Sequence, residues 1–360
     1  VLQRPKAAGA SLPTCGPGDL LWIGSQGGIE EEMVRRAGLE YVGLPAGGLR
    51  GMGLASTIRN AARILSSIGP ARKVLAGFRP DVVLVTGGFA CVAVTLASRL
   101  AGIPIMVYLP DVVPGLAIRF LNRFATRVAV TTEESYHYLR RDKAVVTGYP
   151  VRARILTLKQ GQAREELGLE PEMDTLLVFG GSRGARSINR ALVAGLRDLL
   201  PACQILHISG RLDADWVSGV ARGVPDELRE LYHFFDYMHE MPRALVAADL
   251  AVSRAGAATL GEFPADALPA FLVPYPFSGQ HQNPNAEYMA RNGAAQVLPD
   301  AELEGKLVPT VLGLLNDRET LADMRESVSA MSRPDAAESI AEQLWLVARQ
   351  QAMDGTGARQ

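Results

Sequence analysis

The sequence predicts an α/β fold of two Rossmann-like domains, each built on a parallel sheet covered by helices on both faces. Three observations carry this. Short apolar, β-branched-rich runs alternate with helical patterns along the chain. The alternation falls into two series, with the proline-bounded stretch Pro150–Gly161 between them. Several of the runs end in small-residue turns that open a helix, which is the junction a parallel α/β sheet requires.

In the first series Leu20–Ile23 reads as a strand, Glu30–Ala37 as a helix closed by Gly38, and Tyr41–Leu44 as the next strand. Leu54, Ile58, Ala62, Leu65 and Ile68 recur at helical spacing. Val82–Thr86, Ile105–Tyr108 and Val128–Thr131 follow as strands. The second series offers Leu176–Phe179, Gln204–Ile208, Leu250–Val252, Ala270–Val273 and Gln296–Leu298. Pro334-Asp335 restarts a last helix, Ala336–Met353. The expected domains are therefore 1–150 and 162–334, with 151–161 as linker and 335–360 as a terminal helix and tail.

With 360 residues and 48% apolar composition the chain can bury two sizeable cores. Cys15, Cys91 and Cys203 form an odd, widely spaced set without metal-ligand spacing, as in a reduced compartment. The longest charge-free run, Val82–Ser98, has 17 residues and is interrupted by Gly87-Gly88, so it reads as strand, turn and helix rather than a membrane span. The net charge of −1 hides a polarity: residues 1–160 carry 20 Lys/Arg against 10 Asp/Glu, and residues 161–360 carry 17 against 28. A basic half suits an anionic lipid or a phosphorylated substrate. Nucleic acid is not indicated, because basic and aromatic residues are not interleaved and no nucleic-acid motif is present.

The chemistry concentrates in Ser253-Arg-Ala-Gly-Ala-Ala-Thr-Leu-Gly-Glu262 and Gly180-Gly-Ser-Arg-Gly-Ala185. A strand ending in a small-residue turn before a helix leaves backbone N–H groups and a positive dipole end aimed at one spot, which suits a diphosphate. Glu262, one helical turn later, can accept hydrogen bonds from ribose hydroxyls. One such junction alone is ordinary architecture; two with an acid at ribose distance point to a nucleotide-sugar site. With them come His281-Gln282-Asn283-Pro284-Asn285-Ala286 and Gly148-Tyr149-Pro150-Val151-Arg152.

These elements, in this order, resemble the MurG family, transferases that add N-acetylglucosamine to lipid I to make lipid II. The resemblance runs from about Asp19 to about Arg333. It implies the GT-B plan of two Rossmann-like domains facing a cleft, and an inverting glycosyltransferase using no cofactor. UDP-N-acetylglucosamine would be the donor and undecaprenyl-linked lipid I the acceptor, at the cytoplasmic face of the membrane. Carried over by residue, Arg152, Ser182, Ala257, Ala258, Thr259, Leu260, Gly261 and Glu262 fall on donor-binding positions, with Thr259 at the helix start, where backbone N–H groups are expected to be unpaired. Met238 matches a segment whose backbone reads uracil, and His281 and Gln282 match the sugar-contacting pair. Gly87-Gly88 matches an acceptor-side glycine loop.

The acceptor side departs from the family. Where relatives carry His-Glu-Gln-Asn, this chain has Tyr108-Leu109-Pro110-Asp111. Asp111 is expected there to bind sugar hydroxyls or act as the catalytic base, or else to cap the helix after Pro114. The resemblance also implies a first strand, a glycine loop ending in histidine, and a helix before residue 19, and Val1–Gly18 shows none of these. The expectation is a chain that binds UDP-N-acetylglucosamine but transfers it slowly, with a 2-epimerase-type isomerase and a non-catalytic UDP-sugar binder as alternatives. Asp213-Ala-Asp215 has the look of a metal clamp but reads as a solvated loop, and no metal is expected.

Two acid-free blocks complete the reading. Tyr41–Pro80 contains Arg50, Arg59, Arg63, Arg72, Lys73 and Arg79 around the Leu54–Ile68 stripe. Between Asp111 and Glu133, Arg119, Arg123 and Arg127 interleave with Ile118, Phe120, Leu121 and Phe124. Together they predict docking on an anionic membrane surface; the alternative is that the apolar stripes face the core.

Overall fold

The computed structural model describes residues 14–28, 30–45, 54–181, 184–277 and 282–357, without the side chains of 54–62, Phe89 and 351–357. The chain forms two compact units: Val1–Pro110 with Pro114–Gly148 and Asp335–Gln360, and Asp111–Val113 with Tyr149–Pro334.

The first unit contains a parallel pair, β1 (Leu21–Ser25) and β2 (Glu40–Leu44). It also contains a four-stranded parallel sheet, β3 (Val83–Val85), β4 (Ile105–Leu109), β5 (Arg127–Val130) and β6 (Ala144–Val146), in that order. Ile23 of β1 and Val83 of β3 pack into one cluster with Leu44, Ala71, Leu75, Val94 and Ala97, so helices Leu54–Phe78 and Phe89–Leu100 cover both sheets from one side. The last helix, Ala336–Gly357, packs Ile340 and Leu344 against Met106, Tyr108 and Ala129, which attaches it to this unit.

The second unit is a six-stranded parallel sheet: β7 (Thr175–Phe179), β8 (Gln204–Ile208), β9 (Tyr232–Phe235), β10 (Leu250–Ser253), β11 (Ala270–Leu272) and β12 (Ala295–Val297). Its order is β12-β11-β10-β7-β8-β9. Chain direction across the sheet therefore reverses between β7 and β10, which is a topological switch point. Successive side chains alternate between two cores: Leu176, Val178, Leu250 and Val252 on one face, Leu177 and Ala251 on the other. Burial on both faces is why these strands read as unbroken apolar runs.

Several boundaries differ from the sequence reading. The segment 151–161 holds helix Ala153–Thr157 and the start of Gln160–Leu167, because Ile155 and Ala163 are buried in the core of the second unit. β6 and β9 were not legible: β6 is three residues long, and β9 is an aromatic run broken by His233. In helix Leu54–Phe78 the buried face runs through Ser67, Ala71 and Leu75, whereas Leu65 is 64% exposed. Leu54, Ile58, Arg59 and Ala62 have side chains outside the described residues, and Arg50 lies outside them altogether. The second stripe faces inward: Ile118 and Leu121 are buried, and Phe120 and Phe124 pack together at 5.2 Å against the same core. Among the described residues no helix is long and apolar enough to cross a membrane.

One polar network lies inside the second unit. Asn189 donates to Ser209 O and to Asp213 Oδ2, both at 2.9 Å, so its Oδ1 must accept from His207 Nε2 at 3.0 Å. His207 Nδ1 then accepts the Tyr232 hydroxyl at 2.6 Å, and the imidazole is neutral. Burial pushes its pKa down to about 3, with the Asp213 charge opposing. Asp213 is thus no solvated loop residue: it is buried, and Arg186 closes on it at 2.6 Å. An unfolded histidine takes up a proton near its ordinary pKa and the folded one does not, so this contribution is full above about pH 6.5 and is lost as pH falls toward 3. By pH 4.5 the loss should be about 2–3 kcal/mol. Denaturant titrations at pH 7.5 and 4.5 should show a smaller acid penalty in His207→Gln than in the wild type; equal penalties would contradict the assignment.

Candidate functional site

The two small-residue turns leave the C-terminal ends of β7 and β10, neighbours at the switch point. After β7, Gly180 and Gly184 are fixed by space: a Cβ on Gly180 would collide with the backbone N of Ala185, and one on Gly184 with the carbonyl of Ser209. Gly184 also has φ +75°, a conformation that disfavours any side chain. Ser182 lies outside the described residues.

After β10 the turn Ala255–Ala258 leads into helix Thr259–Ala265. Here the structure corrects the assignment of free N–H groups to Thr259. The N–H groups of Thr259, Leu260 and Gly261 bond to Gly256, Ala257 and Ala258 carbonyls at 3.0–3.1 Å, and that of Glu262 bonds to Ala258 at 2.8 Å. The Thr259 hydroxyl also turns back, donating to Gly256 O at 2.7 Å. In this turn the N–H groups of Gly256, Ala257 and Ala258 have no acceptor among the described residues. All three residues are partly exposed, so these donors stand just before the helix, where an anion would meet them. The Leu260 side chain is core. Gly261 is bare because a Cβ there would sit 2.5 Å from Cβ of Tyr149.

Glu262 projects from this helix toward Arg152, Oε1 to Nη2 at 3.6 Å. Its side chain is 15% exposed, against 52% for Arg152. Burial raises the Glu262 pKa and Arg152 draws it back. A carboxylate that has lost most of its water and has one loose cationic partner gains from ligand hydroxyls.

Arg254, at the end of β10, joins the surrounding loops. Its guanidinium donates to the carbonyls of Val273 at 3.2 Å and Pro274 at 3.3 Å, to Ser187 Oγ at 2.9 Å, and to Asp300 Oδ1 at 2.5 Å. Asp300 in turn accepts from Ser187 at 2.7 Å. Gln282 opens helix Gln282–Arg291, and its Oε1 accepts from Tyr275 N at 2.9 Å, which leaves the amide NH2 to meet a ligand. His281 lies outside the described residues. Met238 is buried in the core, so only its backbone is available to a base.

Asp111 and its two successors belong to this same unit. The helix after Pro114, Leu116–Leu121, has Gly115 as its N-cap. Asn285 Nδ2 donates to Asp111 Oδ1 at 2.8 Å and to Ala255 O at 3.1 Å, while its Oδ1 accepts from Val112 N at 3.0 Å. Asn285 stands three positions after Gln282 on the same helix face, and a polar residue at that spacing is the one signal of it in the sequence. Gly87 and Gly88 lie in the first unit with φ +107° and +86°, and Gly88 caps helix Phe89–Leu100. Among the described residues no cluster of His, Cys, Asp and Glu has the makings of a metal site.

Two Rossmann-like units with this turn pair at the switch point define a glycosyltransferase of the GT-B class. Sequence profiles of the glycosyltransferase family 28 N-terminal and C-terminal domains match residues 11–130 and 175–340. A UDP-N-acetylglucosamine--N-acetylmuramyl-(pentapeptide) pyrophosphoryl-undecaprenol N-acetylglucosamine transferase from Roseiflexus sp. is 41% identical, over 89% of this chain and 82% of its own. Its counterpart in Desulforudis audaxviator is 39% identical, over 89% of this chain and 88% of its own. The crystal structure of Acinetobacter baumannii MurG superposes with a TM-score of 0.69 at 22% identity, covering 90% of this chain and 89% of that one. The chain belongs to the MurG family of N-acetylglucosamine transferases.

Removing the Glu262 carboxylate tests the site. Glu262→Ala should weaken UDP binding roughly ten- to a hundred-fold, the loss of a charge-assisted hydrogen bond. Calorimetry that finds the affinity unchanged in a folded variant would rule out the ribose role.

Proposed function

We propose that this chain transfers N-acetylglucosamine from UDP-N-acetylglucosamine to the muramyl 4-hydroxyl of lipid I, giving lipid II with inversion at C1. The observation that supports this best is the pair of turns at the switch point, with Glu262 and Arg152 beside the second. In this reading the N–H groups of Gly256, Ala257 and Ala258 face the diphosphate, Arg152 offsets its charge, Glu262 holds the ribose, and Gln282 donates to the sugar. Ser182 and His281 take the donor roles the family resemblance implies, and Gly87-Gly88 faces the acceptor diphosphate.

The reaction is one displacement. The acceptor hydroxyl loses its proton to a base as its oxygen bonds to C1, and the C1–O bond to the diphosphate breaks, releasing UDP. Asp111 is the proposed base, with Asn285 fixing its orientation. Incubation with labelled UDP-N-acetylglucosamine and a lipid I analogue should give the disaccharide lipid; isomerised or unreacted UDP-sugar alone would overturn the proposal. Asp111→Asn should lower kcat by about a hundredfold or more while UDP affinity stays put.

The proposed membrane contact is the outward side of helix Leu54–Phe78, at the cytoplasmic face. Leu65, Arg63, Arg72 and Lys73 are exposed there, and Arg72, Lys73 and Arg79 line an open cavity of about 590 Å³ with Ala101 and Ile103. Each basic residue near an anionic leaflet contributes about 1 kcal/mol. Replacing Arg63, Arg72 and Lys73 by Glu should release the protein from phosphatidylglycerol vesicles at low salt, with UDP binding unchanged. A wild-type protein that ignores such vesicles would refute the contact.

A further inference from the structure

Tyr149 stands inside the candidate donor site and has no role so far. Its ring lies against the bare Cα of Gly261, so close that any side chain at 261 would displace it. It lies three residues before Arg152, and the charges of Glu262, Asp111 and Arg152 act on its hydroxyl. The ring is half-buried, yet no described residue accepts a hydrogen bond from its hydroxyl, and that oxygen is not sealed from solvent. A phenol held by packing rather than by a hydrogen bond keeps its donor for something else.

We propose that Tyr149 is a nucleotide-binding residue, its phenol donating a hydrogen bond to the diphosphate of the donor beside Arg152. The assignment rests on the donor-site reading given above. The charges of two carboxylates and one guanidinium act on the phenol; the carboxylates favour a group that stays protonated and donates. Burial first, then Glu262 and Asp111, push the phenol pKa up, while Arg152 opposes them, so the O–H persists at neutral pH. Among the parts of a UDP-sugar, the diphosphate oxygens carry the charge and are the strongest acceptors for that O–H. Gly261 then has a function of its own, clearing the space in which the ring is fixed.

The test is a ligand series on the full chain by calorimetry or competitive displacement: uridine, UMP and UDP against wild type, Tyr149→Phe and Glu262→Ala. Tyr149→Phe retains the ring and its packing on Gly261, so an unchanged thermal midpoint is expected. UDP affinity should fall about tenfold in Tyr149→Phe, with uridine unaffected. Glu262→Ala should instead weaken all three ligands. Equal losses for uridine and UDP in Tyr149→Phe would overturn the diphosphate assignment in favour of a packing role. No loss in Tyr149→Phe, with Glu262→Ala still impaired, would overturn it while leaving the donor site standing. A wild-type chain that binds no UDP would remove both.

Discussion

The site depends on one buried amide. Asn285, inaccessible to solvent, uses three of its four hydrogen-bonding positions on backbone and side-chain groups from separate stretches of chain: Asp111, Val112 and Ala255. Those stretches hold the proposed base and the start of the β10 turn, and Asn285's own helix begins at Gln282. A buried donor or acceptor left without its partner costs about 1–3 kcal/mol, so the three segments are held to one arrangement rather than merely placed near each other. The side chain that touches no substrate in this account is the one that sets where the others stand.

Arg254 does the same work on the other side of the β10 turn. Its guanidinium is 11% exposed and spans the end of β11, the helix after β7, and Asp300. With Asn285 it ties the β10 turn to neighbouring segments, while the N–H groups of Gly256–Ala258 have no acceptor among the described residues. Preorganised donors of this kind need no rearrangement when negative charge arrives on a leaving diphosphate, which is what a displacement at C1 requires. Glu262 and Arg152 stand 3.6 Å apart, close enough to interact through charge and longer than a hydrogen bond, the spacing that the proposed donor roles need.

Much of this was legible in the chain itself. Apolar runs bounded by small residues gave the strands of the second sheet nearly to the residue, because strands buried on both faces carry no polar alternation to blur them. β6 and β9 escaped for the opposite reason, being short or interrupted. Glu262 and Arg152 were visible as motif residues. The free N–H groups were misplaced by a few residues, since the first turn of helix Thr259–Ala265 closes on itself through three-residue bonds that sequence does not announce. Asn285 and Arg254 act only through distant partners, Asp111 lying 174 positions away in one case, and no local pattern encodes a contact of that span. The membrane reading rested on two stripes; Ile118 and Leu121 proved to be core, whereas Leu65 stands outward among arginines.

A crystal structure of the chain with UDP-N-acetylglucosamine bound tests the central claim most directly. The account predicts diphosphate oxygens within hydrogen-bonding distance of the Gly256, Ala257 and Ala258 N–H groups, and both ribose hydroxyls on Glu262. A nucleotide bound elsewhere, or one whose diphosphate avoids the β10 turn while Glu262 stays paired only with Arg152, would contradict it.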